Sequence, residues 1–453
     1  MAQPRVLSLK TAVSTSAGLA SAAINFLACV EVAEYAGGSS AWIALLAAGI
    51  LIVFSASNFA ELSGLYPSAA AIRVWTKRGL NDSWSLIISL VYALTVIFVI
   101  AADAFVLAQA FRRAIPAVPG WVWIAILLVL VLWANLRGIR VAGRIQDINA
   151  MLLLASLTII AVVILGKGPL PPVQQFFHLG HGIVQSIALG VFIYVGFEWV
   201  TPLAEEFSDA KAIPRGMYLA LGLIAIAFGL FSVALTTIFP RPAQLASTFV
   251  PQLLAGQKAL GVWGFWWMLF VTATTAMTTF NGGLFTASRF IYSLAREKAL
   301  PKQFSHLNSR WVPSYALSAI AVLSLILALV IFETRQYAVL INAGAGVEGL
   351  VYALSALLVI RLRKKEPTRA RPFHALGVPW LTAAVGIIFF VLGMAALFTS
   401  SSAWPWPFMF IASLVLLTMG YVHFVLPRMK EAQRRKVSSS IKGNKVTPEE
   451  TTK

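Results

Sequence analysis

The stretch SIALGVFIYVGFEWVTPLAEE, from Ser186 to Glu206, decides the fold. It is apolar enough to cross a bilayer, yet it contains a glycine, Gly196, and a carboxylate, Glu198, close to its middle. An acidic residue at the centre of a membrane helix costs about 2.5–3.5 kcal/mol on insertion scales, so it normally faces a cavity, a partner or a substrate. We therefore interpret this span as one half of a substrate site.

The composition of the chain predicts a polytopic helical membrane protein. Its 453 residues are 59% hydrophobic and 11% charged, whereas ordinary soluble domains have about 25% charged residues. Repeated apolar runs of about 20 residues indicate helices that cross a bilayer, and they lack the alternation typical of a transmembrane β-barrel. The single cysteine, Cys29, excludes an internal disulfide bond.

The basic charge of the chain does not predict nucleic-acid binding. The net charge is +18, but the lysines and arginines flank the apolar runs, as the positive-inside rule describes. The histidines lie in loops or at span ends without the spacing of metal ligands, and no nucleotide-binding loop or nucleophile motif is present. The sequence therefore predicts no metal, no cofactor, no nucleic-acid partner and no enzymatic activity, and it places the chain in a lipid bilayer.

The apolar runs predict twelve spans. Their cores are 11–30, 42–60, 86–110, 121–136, 148–165, 183–204, 217–239, 259–287, 315–332, 337–360, 378–398 and 404–424. The fourth span is short, and the eighth is long enough to tilt or to extend beyond the membrane.

The distribution of lysine and arginine predicts that both termini are cytoplasmic. Only six of the 35 basic residues fall in the expected outer loops: Arg112, Arg113, Lys167, Arg241, Lys258 and Arg335. Since cytoplasmic loops carry the excess of basic residues, residues 1–10 should form a cytoplasmic N-terminus and residues 11–427 the transmembrane domain. Residues 428–453 should form a basic cytoplasmic tail that is disordered or attracted to anionic lipid.

Span 1 has the same interrupted character as span 6. Its middle contains small and polar residues, namely Ser14, Thr15, Ser16, Gly18, Ser21 and Asn25. Interrupted first and sixth helices predict two five-span repeats of opposite orientation, with a binding site where the broken helices meet. The repeats would cover about 11–166 and 182–362, followed by two further helices at about 378–427. The alternative is that the small residues only allow close helix packing.

Four segments of the chain resemble motifs of the amino acid–polyamine–organocation (APC) transporters. They are AELSGLYPSAAA at Ala60–Ala71, GFEWVTPLAEE at 196–206 with IPRG at 213–216, ASRFIYSLAREKALPKQFSHLNSRWVPSYAL at Ala287–Leu317, and RPF at Arg371–Phe373. The resemblance implies an all-α, LeuT-like inverted repeat with five helices in each half and with helices 1 and 6 broken. It also implies a secondary active transporter, either a permease or an exchanger, that moves an amino acid or organic amine across the plasma membrane by alternating access.

Two departures from the family concern the substrate carboxylate and the proton. In APC transporters, backbone N–H groups of a Gly-Ser/Thr-Gly triplet in span 1 hold the substrate carboxylate, and the aligned residues here are Ala22, Ala23 and Ile24. Their backbone donors remain, but their Cβ atoms narrow the approach. Some proton-coupled members carry a lysine in span 5, where this chain has Leu153. That proton switch is therefore absent, and proton coupling is left open.

Glu198 is the main candidate for the chemistry of transport. It occupies the acidic position after Gly-Phe in span 6 and resembles the pH-linked glutamate of the arginine–agmatine antiporter. The resemblance implies that it meets a substrate amine or takes up a proton, and a structural hydrogen bond is the alternative. Phe192 occupies the family's gating-aromatic position, where a ring can cover a bound cation. Plain core packing is the alternative for Phe192.

Other residues complete the candidate substrate site. Span 1 would contribute backbone groups to the site, because the N-terminal end of its outer half-helix favours an anionic group. The residues concerned are Ser21, Ala22, Ala23, Ile24 and Asn25. Gly196 is the expected break in span 6, with Phe197 beside it. Asn281 in span 8 is expected to face the site.

Four further acids could attract a cationic substrate. Asp103, together with Glu31 and Glu34, could form an acidic vestibule that concentrates cations and contributes to gating. Glu348, within AGAGVEGL of span 10, could line the same cavity or pair with a basic residue. A passive facilitator or a sensor on the same scaffold remains the alternative function. The sequence leaves the exact substrate, the coupling ion and the oligomeric state open.

Overall fold

The computed structural model describes residues 5–167, 170–209, 211–245, 247–398 and 404–431. The predicted basic tail lies outside the described residues from position 432 onward. Within the described ranges the chain is almost entirely helical, and a single isolated parallel bridge joins Leu7 to Phe207. The all-α fold predicted from the apolar runs is confirmed.

Fifteen α-helices follow one another along the described chain. They are α1 Leu9–Ala20, α2 Asn25–Ala36, α3 Ala41–Leu65, α4 Ile72–Gly79, α5 Asp82–Ala114, α6 Gly120–Leu136, α7 Ile139–Lys167, α8 Val173–Phe177, α9 Ile183–Phe192, α10 Ala212–Ile238, α11 Pro251–Arg296, α12 Ser314–Thr334, α13 Tyr337–Lys365, α14 Pro379–Phe398 and α15 Trp406–Gly420. Short 3-10 helices cover Phe197–Glu206, Pro242–Leu245 and Lys302–Ser305, and a π-helical turn at Tyr421–Val425 follows α15.

Ten described helical segments are long and apolar enough to cross a membrane, and there are eleven if α1 and α2 form one bent span. The remaining predicted span, the fourth, corresponds to α6, whose 17 residues make it shorter than the others. The predicted eighth span, 259–287, lies within α11, which runs for 46 residues and is kinked at Gly261, where φ is +63°. The count of twelve spans and the two-repeat arrangement stay predictions.

Side chains are distributed as expected for a bundle in lipid. Large apolar side chains such as Leu130, Trp133 and Ile226 are exposed on its outside. Many serine and threonine hydroxyls are buried in α1 and α11, and those of α11 often bond to a carbonyl of their own helix, as Thr275 does to Val271 at 2.6 Å. Small side chains and self-satisfied hydroxyls let membrane helices approach closely.

Both ends of the described chain lie at the same end of the bundle, which we call the basic end. Near its beginning, the Leu7 N–H donates to the Glu206 carbonyl at 3.1 Å. Near the last helix, the Tyr421 hydroxyl donates to the Ala299 carbonyl at 2.8 Å. Ala299 lies three residues after Arg296, which pairs with Glu205, the residue before Glu206. The two contacts therefore lie at the same end of the bundle.

Glycines set the distance between α13 and α14. A Cβ atom on Gly349 would lie 2.7 Å from the Gly393 Cα and 3.1 Å from the Phe389 carbonyl oxygen. These neighbours are backbone atoms, which cannot rotate away as a side chain can. The two helices therefore touch along their backbones at this point.

Replacing Gly349 by alanine is expected to lower the free energy of unfolding by about 1–3 kcal/mol, the usual cost of an overpacked core. The measurement is thermal unfolding of the purified protein in detergent. Gly222→Ala is the matched control, because a Cβ there meets nothing within 4 Å and alanine is the better helix former. Equal melting temperatures for the two variants would contradict the close packing.

Candidate functional site

Helix 1 is broken at the position that the sequence predicts. α1 ends at Ala20 and α2 begins at Asn25, and the two helices are bent by 65°. The Asn25 side chain spans the gap, because its Nδ2 donates to the Ala20 carbonyl at 2.7 Å. The same Nδ2 donates to the Ile193 carbonyl at 3.1 Å. One buried amide thus ties the break in helix 1 to the segment that follows α9.

The sixth predicted span, which we call helix 6 and which comprises α9 and the 3-10 helix after it, is broken as well. α9 ends at Phe192, a turn covers the next four residues, and a 3-10 helix begins at Phe197. Gly196 closes the turn with a φ of +107°, in the left-handed region that favours glycine. A Cβ on Gly196 would lie 3.2–3.3 Å from backbone atoms of Leu19 and Ala20. The predicted breaks in helices 1 and 6 are confirmed, and they are in contact.

Replacing Gly196 by alanine is expected to lower substrate uptake at least tenfold. The substitution adds a strained backbone conformation, which costs about 1–2 kcal/mol, and presses a methyl group against the end of α1. The measurement is uptake by the protein in liposomes, normalised to the amount of folded protein.

Gly38→Ala separates the two effects of that substitution. Gly38 also has a positive φ, of +95°, but a Cβ there meets nothing within 4 Å. The Gly38→Ala variant should therefore have a strained backbone without a new steric contact, and it should keep most of the uptake. Similar losses in both variants would mean that the approach of the two breaks is unimportant.

Glu198 is fully buried inside the bundle and faces other helices. Its Oε2 accepts a hydrogen bond from the Tyr352 hydroxyl of α13 at 2.7 Å, and its Oε1 accepts one from the Tyr92 hydroxyl of α5 at 3.1 Å. Tyr352 also accepts a weak hydrogen bond from the Gly196 N–H at 3.4 Å. The carboxyl group is therefore held at the break in helix 6 by two other helices.

A second buried acid, Glu348, lies beside Glu198, and the two carboxyl groups interact. Its Oε1 accepts hydrogen bonds from the Thr95 hydroxyl at 2.8 Å and from the Trp199 indole N–H at 3.2 Å. Its Oε2 has no hydrogen-bond partner among the described residues. The prediction that Glu348 could pair with a basic residue is wrong, because its partners are Thr95, Trp199 and the other acid.

Aromatic rings enclose the two acids. Tyr92 stacks on Trp199 at 4.3 Å between ring centroids. On the other side, Phe197 packs against Tyr352 at 5.7 Å and against Phe59 at 5.9 Å. Phe197, named as a lining residue from the sequence, thus belongs to the wall around the carboxyl pair.

Asp103 lies at the break in helix 1. Its carboxyl oxygen Oδ1 accepts a hydrogen bond from the Ala23 N–H, and its side chain is fully buried. Glu31 and Glu34 are exposed instead. Glu31 and Glu34 lie on α2, the second half of the broken helix, whereas Asp103 reaches the break from α5; the acidic vestibule stays a prediction.

Two other predicted residues are Asn281 and Phe192. Asn281 is buried, but its Nδ2 donates to the Gln146 Oε1 at 2.8 Å and to the Ala142 carbonyl at 3.0 Å, while its Oδ1 accepts from Asn135 at 2.9 Å. Its amide thus connects α11 with α6 and α7. Phe192 ends α9 and is only partly buried, so its gating role stays a prediction.

The sequence interpretation did not single out Tyr92, Tyr352 and Thr95 as partners of the acids. One signal was present: Tyr352 follows Glu348 by four residues, which places both on one face of a helix. Tyr92 and Thr95 carried no such signal, since nothing in α5 indicates which residues of α13 it meets.

Ion pairs close the basic end of the bundle. Arg289 of α11 binds Glu206 at 2.7 Å, and both side chains are buried. Glu61 of α3 is buried as well and binds Arg363 at 2.5 Å and Arg371 at 3.1 Å. These bonds join the end of helix 6 to α11, and α3 to α13 and the segment after it.

A further contact at the basic end lies outside the membrane-spanning helices. The Tyr66 hydroxyl donates to the Glu366 carboxylate, and this hydrogen bond, followed by the charge of Arg369, holds the pKa of Glu366 below its usual value. Arg369 and Arg78 also lie over the Tyr66 ring, at 4.2 Å and 4.3 Å from its centroid. Glu366 therefore carries its negative charge among basic residues.

Comparison with known proteins agrees with this architecture. The family model described as amino acid permease matches residues 12–433. The chain is 28% identical to the large neutral amino acids transporter small subunit 2 of Homo sapiens over 367 residues, which cover 77% of this chain and 68% of that protein. It is 21% identical to the lysine-specific permease LysP of Lactococcus lactis over 437 residues, which cover 88% of this chain and 85% of that permease. The resemblance carried by the four motif segments is confirmed, and the chain belongs to the amino acid permease family of the APC superfamily.

Proposed function

We propose that the protein is a secondary transporter that carries an amino acid or organic amine across the plasma membrane by alternating access. The observation that carries the proposal is the meeting of two broken membrane helices beside a buried carboxyl pair, Glu198 and Glu348. Unwound backbone and buried acids at such a point provide donors, acceptors and negative charge for a small cation. The two relatives named above are transporters of amino acids by their printed names, and this supports the same role here.

Glu198 is the group that we assign to the substrate amine. Hydrogen bonds from Tyr92 and Tyr352 hold the carboxyl group in place when the amine leaves. Each tyrosine can also turn its hydroxyl toward a substrate. Position 153, in α7, is an apolar leucine and is buried, so a lysine switch is absent there. We therefore assign the proton and the amine to the same carboxyl pair, which would hold one or the other.

The basic end is the cytoplasmic end in this proposal. Its excess of lysine and arginine supports that orientation, and the Glu206–Arg289 pair then closes the inner side. Substrate would enter from the outer side, and opening of the basic end would require these ion pairs to separate.

The experiment is uptake by the purified protein in liposomes, with a panel of radiolabelled amino acids and amines. We expect saturable uptake of at least one of them and acceleration by unlabelled substrate inside the liposomes. Uptake that never saturates and gains nothing from internal substrate would instead identify a passive facilitator. Specific binding that raises the melting temperature without any movement of the ligand would identify a sensor.

A further inference from the structure

Three buried amide side chains form a chain of hydrogen bonds across four helices. They are Asn135 of α6, Asn281 of α11 and Gln146 of α7. Asn135 Nδ2 donates to the Asn281 Oδ1 at 2.9 Å, and Asn281 Nδ2 donates to the Gln146 Oε1 at 2.8 Å. Gln146 Nε2 then donates to the Ser14 carbonyl of α1 at 3.2 Å. The chain therefore ends on α1, the first half of the broken helix 1.

Backbone carbonyls fix the direction of this chain. Asn135 Nδ2 also donates to the Val131 carbonyl at 2.9 Å, and Asn281 Nδ2 also donates to the Ala142 carbonyl at 3.0 Å. Since a carbonyl only accepts, neither amide can be turned over without placing one oxygen against another. The Oε1 of Gln146 is thereby committed to Asn281, and its Nε2 is left for α1.

Two glycines make room for the Gln146 amide. A Cβ atom on Gly18 of α1 would collide with the Gln146 Nε2, and one on Gly282 of α11 would lie 3.1 Å from the same nitrogen. A helical side chain covers the turn that precedes its own Cα, so a larger residue at position 18 would cover the Ser14 carbonyl. The missing side chain of Gly18 therefore opens the way from Gln146 to α1.

α1 is held to α10 in a different way. A Cβ atom on Gly216 of α10 would lie 2.9 Å from the Ala12 carbonyl carbon and 3.0 Å from the Val13 nitrogen, so these two helices touch along their backbones. Backbone atoms cannot turn aside, whereas the side chain of Gln146 can release its hydrogen bond. A movement of α1 during transport should therefore separate it from α7 and α11 and leave it on α10.

We propose that Gln146 is a positioning residue whose amide holds α1 against α7 and α11 until the basic end opens. A partly buried hydrogen bond from the Thr11 hydroxyl to the Asp147 carboxylate, at 3.1 Å, joins α1 to α7 as well, so Gln146 provides the fully buried part of the contact. This inference rests on the proposed transport function and adds to it a contact that must break in each cycle.

The test measures how often α1 separates from α7, by the rate at which a maleimide modifies a cysteine between them. Gly143→Cys in a Cys29→Ala background provides that cysteine, because a Cβ at position 143 makes ordinary contacts with Leu7 and Thr11, at 3.4 Å and 3.5 Å. Gln146→Met keeps the length of the side chain and removes its hydrogen bonds. We expect it to raise the modification rate at least fivefold, about the effect of losing one neutral hydrogen bond.

Asn149→Met is the matched control for Gln146→Met. The Asn149 amide lies on α7 as well, but it donates to a carbonyl of its own helix, that of Ile145, at 2.9 Å. Its loss should leave the modification rate unchanged. A rate that Gln146→Met does not raise, or that both substitutions raise equally, overturns the inference.

Gly18→Ala provides a second variant in case Gln146→Met does not fold. Its added methyl group displaces the Gln146 amide from the Ser14 carbonyl, so it should raise the modification rate too. Gly229→Ala is the control, since a Cβ at that position of α10 meets nothing within 4 Å. An unchanged rate in the folded Gly18 variant overturns the inference.

Uptake by liposomes separates this inference from the transport function on which it rests. Gln146→Met should raise the KM for external substrate about two- to fivefold with little change in the maximal rate, because less of the protein is in the form that binds substrate from outside. An unchanged KM in the folded variant would mean that Gln146 only packs, and it overturns the inference. No saturable uptake by the wild-type protein overturns the transport function, whereas the modification rates still decide whether Gln146 holds α1.

Discussion

Replacing Glu198 by glutamine is expected to lower substrate uptake at least a hundredfold. Hydrogen bonds to charged groups contribute about 1.5–3 kcal/mol each, and a hundredfold loss corresponds to about 2.7 kcal/mol. Glutamine has nearly the same shape as glutamate and can still bond to Tyr92 and Tyr352. The change therefore removes the negative charge at the break in helix 6 with little effect on the fold.

The measurement for Glu198→Gln is the rate of uptake as a function of external pH. Wild-type uptake should vary with pH, and the residual uptake of the variant should vary less, because its amide does not titrate and only Glu348 of the carboxyl pair remains. Glu333→Gln is the matched control, since Glu333 is an exposed acid at the end of α12. Unchanged uptake by the Glu198 variant at every pH would remove this residue from the mechanism.

Replacing Glu206 by glutamine is expected to destabilise the closed basic end by about 3–5 kcal/mol, because it leaves the guanidinium of Arg289 buried without its counter-charge. The double variant Glu206→Gln with Arg289→Gln should recover most of the loss, since it removes both charges together. The measurement is thermal unfolding of the protein in lipid nanodiscs, combined with uptake.

The neighbouring residue provides the control for this ion pair. Glu205 binds Arg296, whose side chain is 47% exposed, and exposed ion pairs contribute about 0–1 kcal/mol. Glu205→Gln should therefore lower the melting temperature less than Glu206→Gln, although Arg296 binds both oxygens of the Glu205 carboxylate. If Glu205→Gln and Glu206→Gln were equally destabilising, the buried pair would have no special role in closing the basic end.

Much of the fold could be predicted from the sequence because membrane helices leave strong signals. Apolar runs gave the spans, and the glycine and acid in the sixth run gave the break at Gly196. The polar residues of the first run likewise indicated the break that ends α1. These signals are local, since each depends on residues within one helix.

The partners of the acidic residues could not be predicted in the same way. Tyr92 lies 106 positions from Glu198 and Tyr352 lies 154 positions from it, so their contacts depend on how distant helices pack. The same holds for Asn281, which faces α6 and α7. The sequence showed that Asn281 is polar within a span, but not which neighbour would satisfy its amide.

The position of Asp103 was the least predictable part of the site. Its sequence context suggested an acid in the outer half of a span, and its use as a partner for the Ala23 N–H depends on the approach of α5 to the break. The departure from the Gly-Ser/Thr-Gly triplet was visible in the sequence. The carboxyl group that bonds to that backbone was visible only in three dimensions.

The backbone contact between Leu7 and Glu206 has a consequence for observing the transport cycle. The Leu7 N–H is the donor in that contact. Its proton is therefore shielded from water while the segment before α1 stays attached to the end of helix 6. When the two segments part, that proton becomes free to exchange with deuterium from the solvent. The rate of isotope labelling at this single amide would therefore report how often the molecule opens toward the side on which its chain begins.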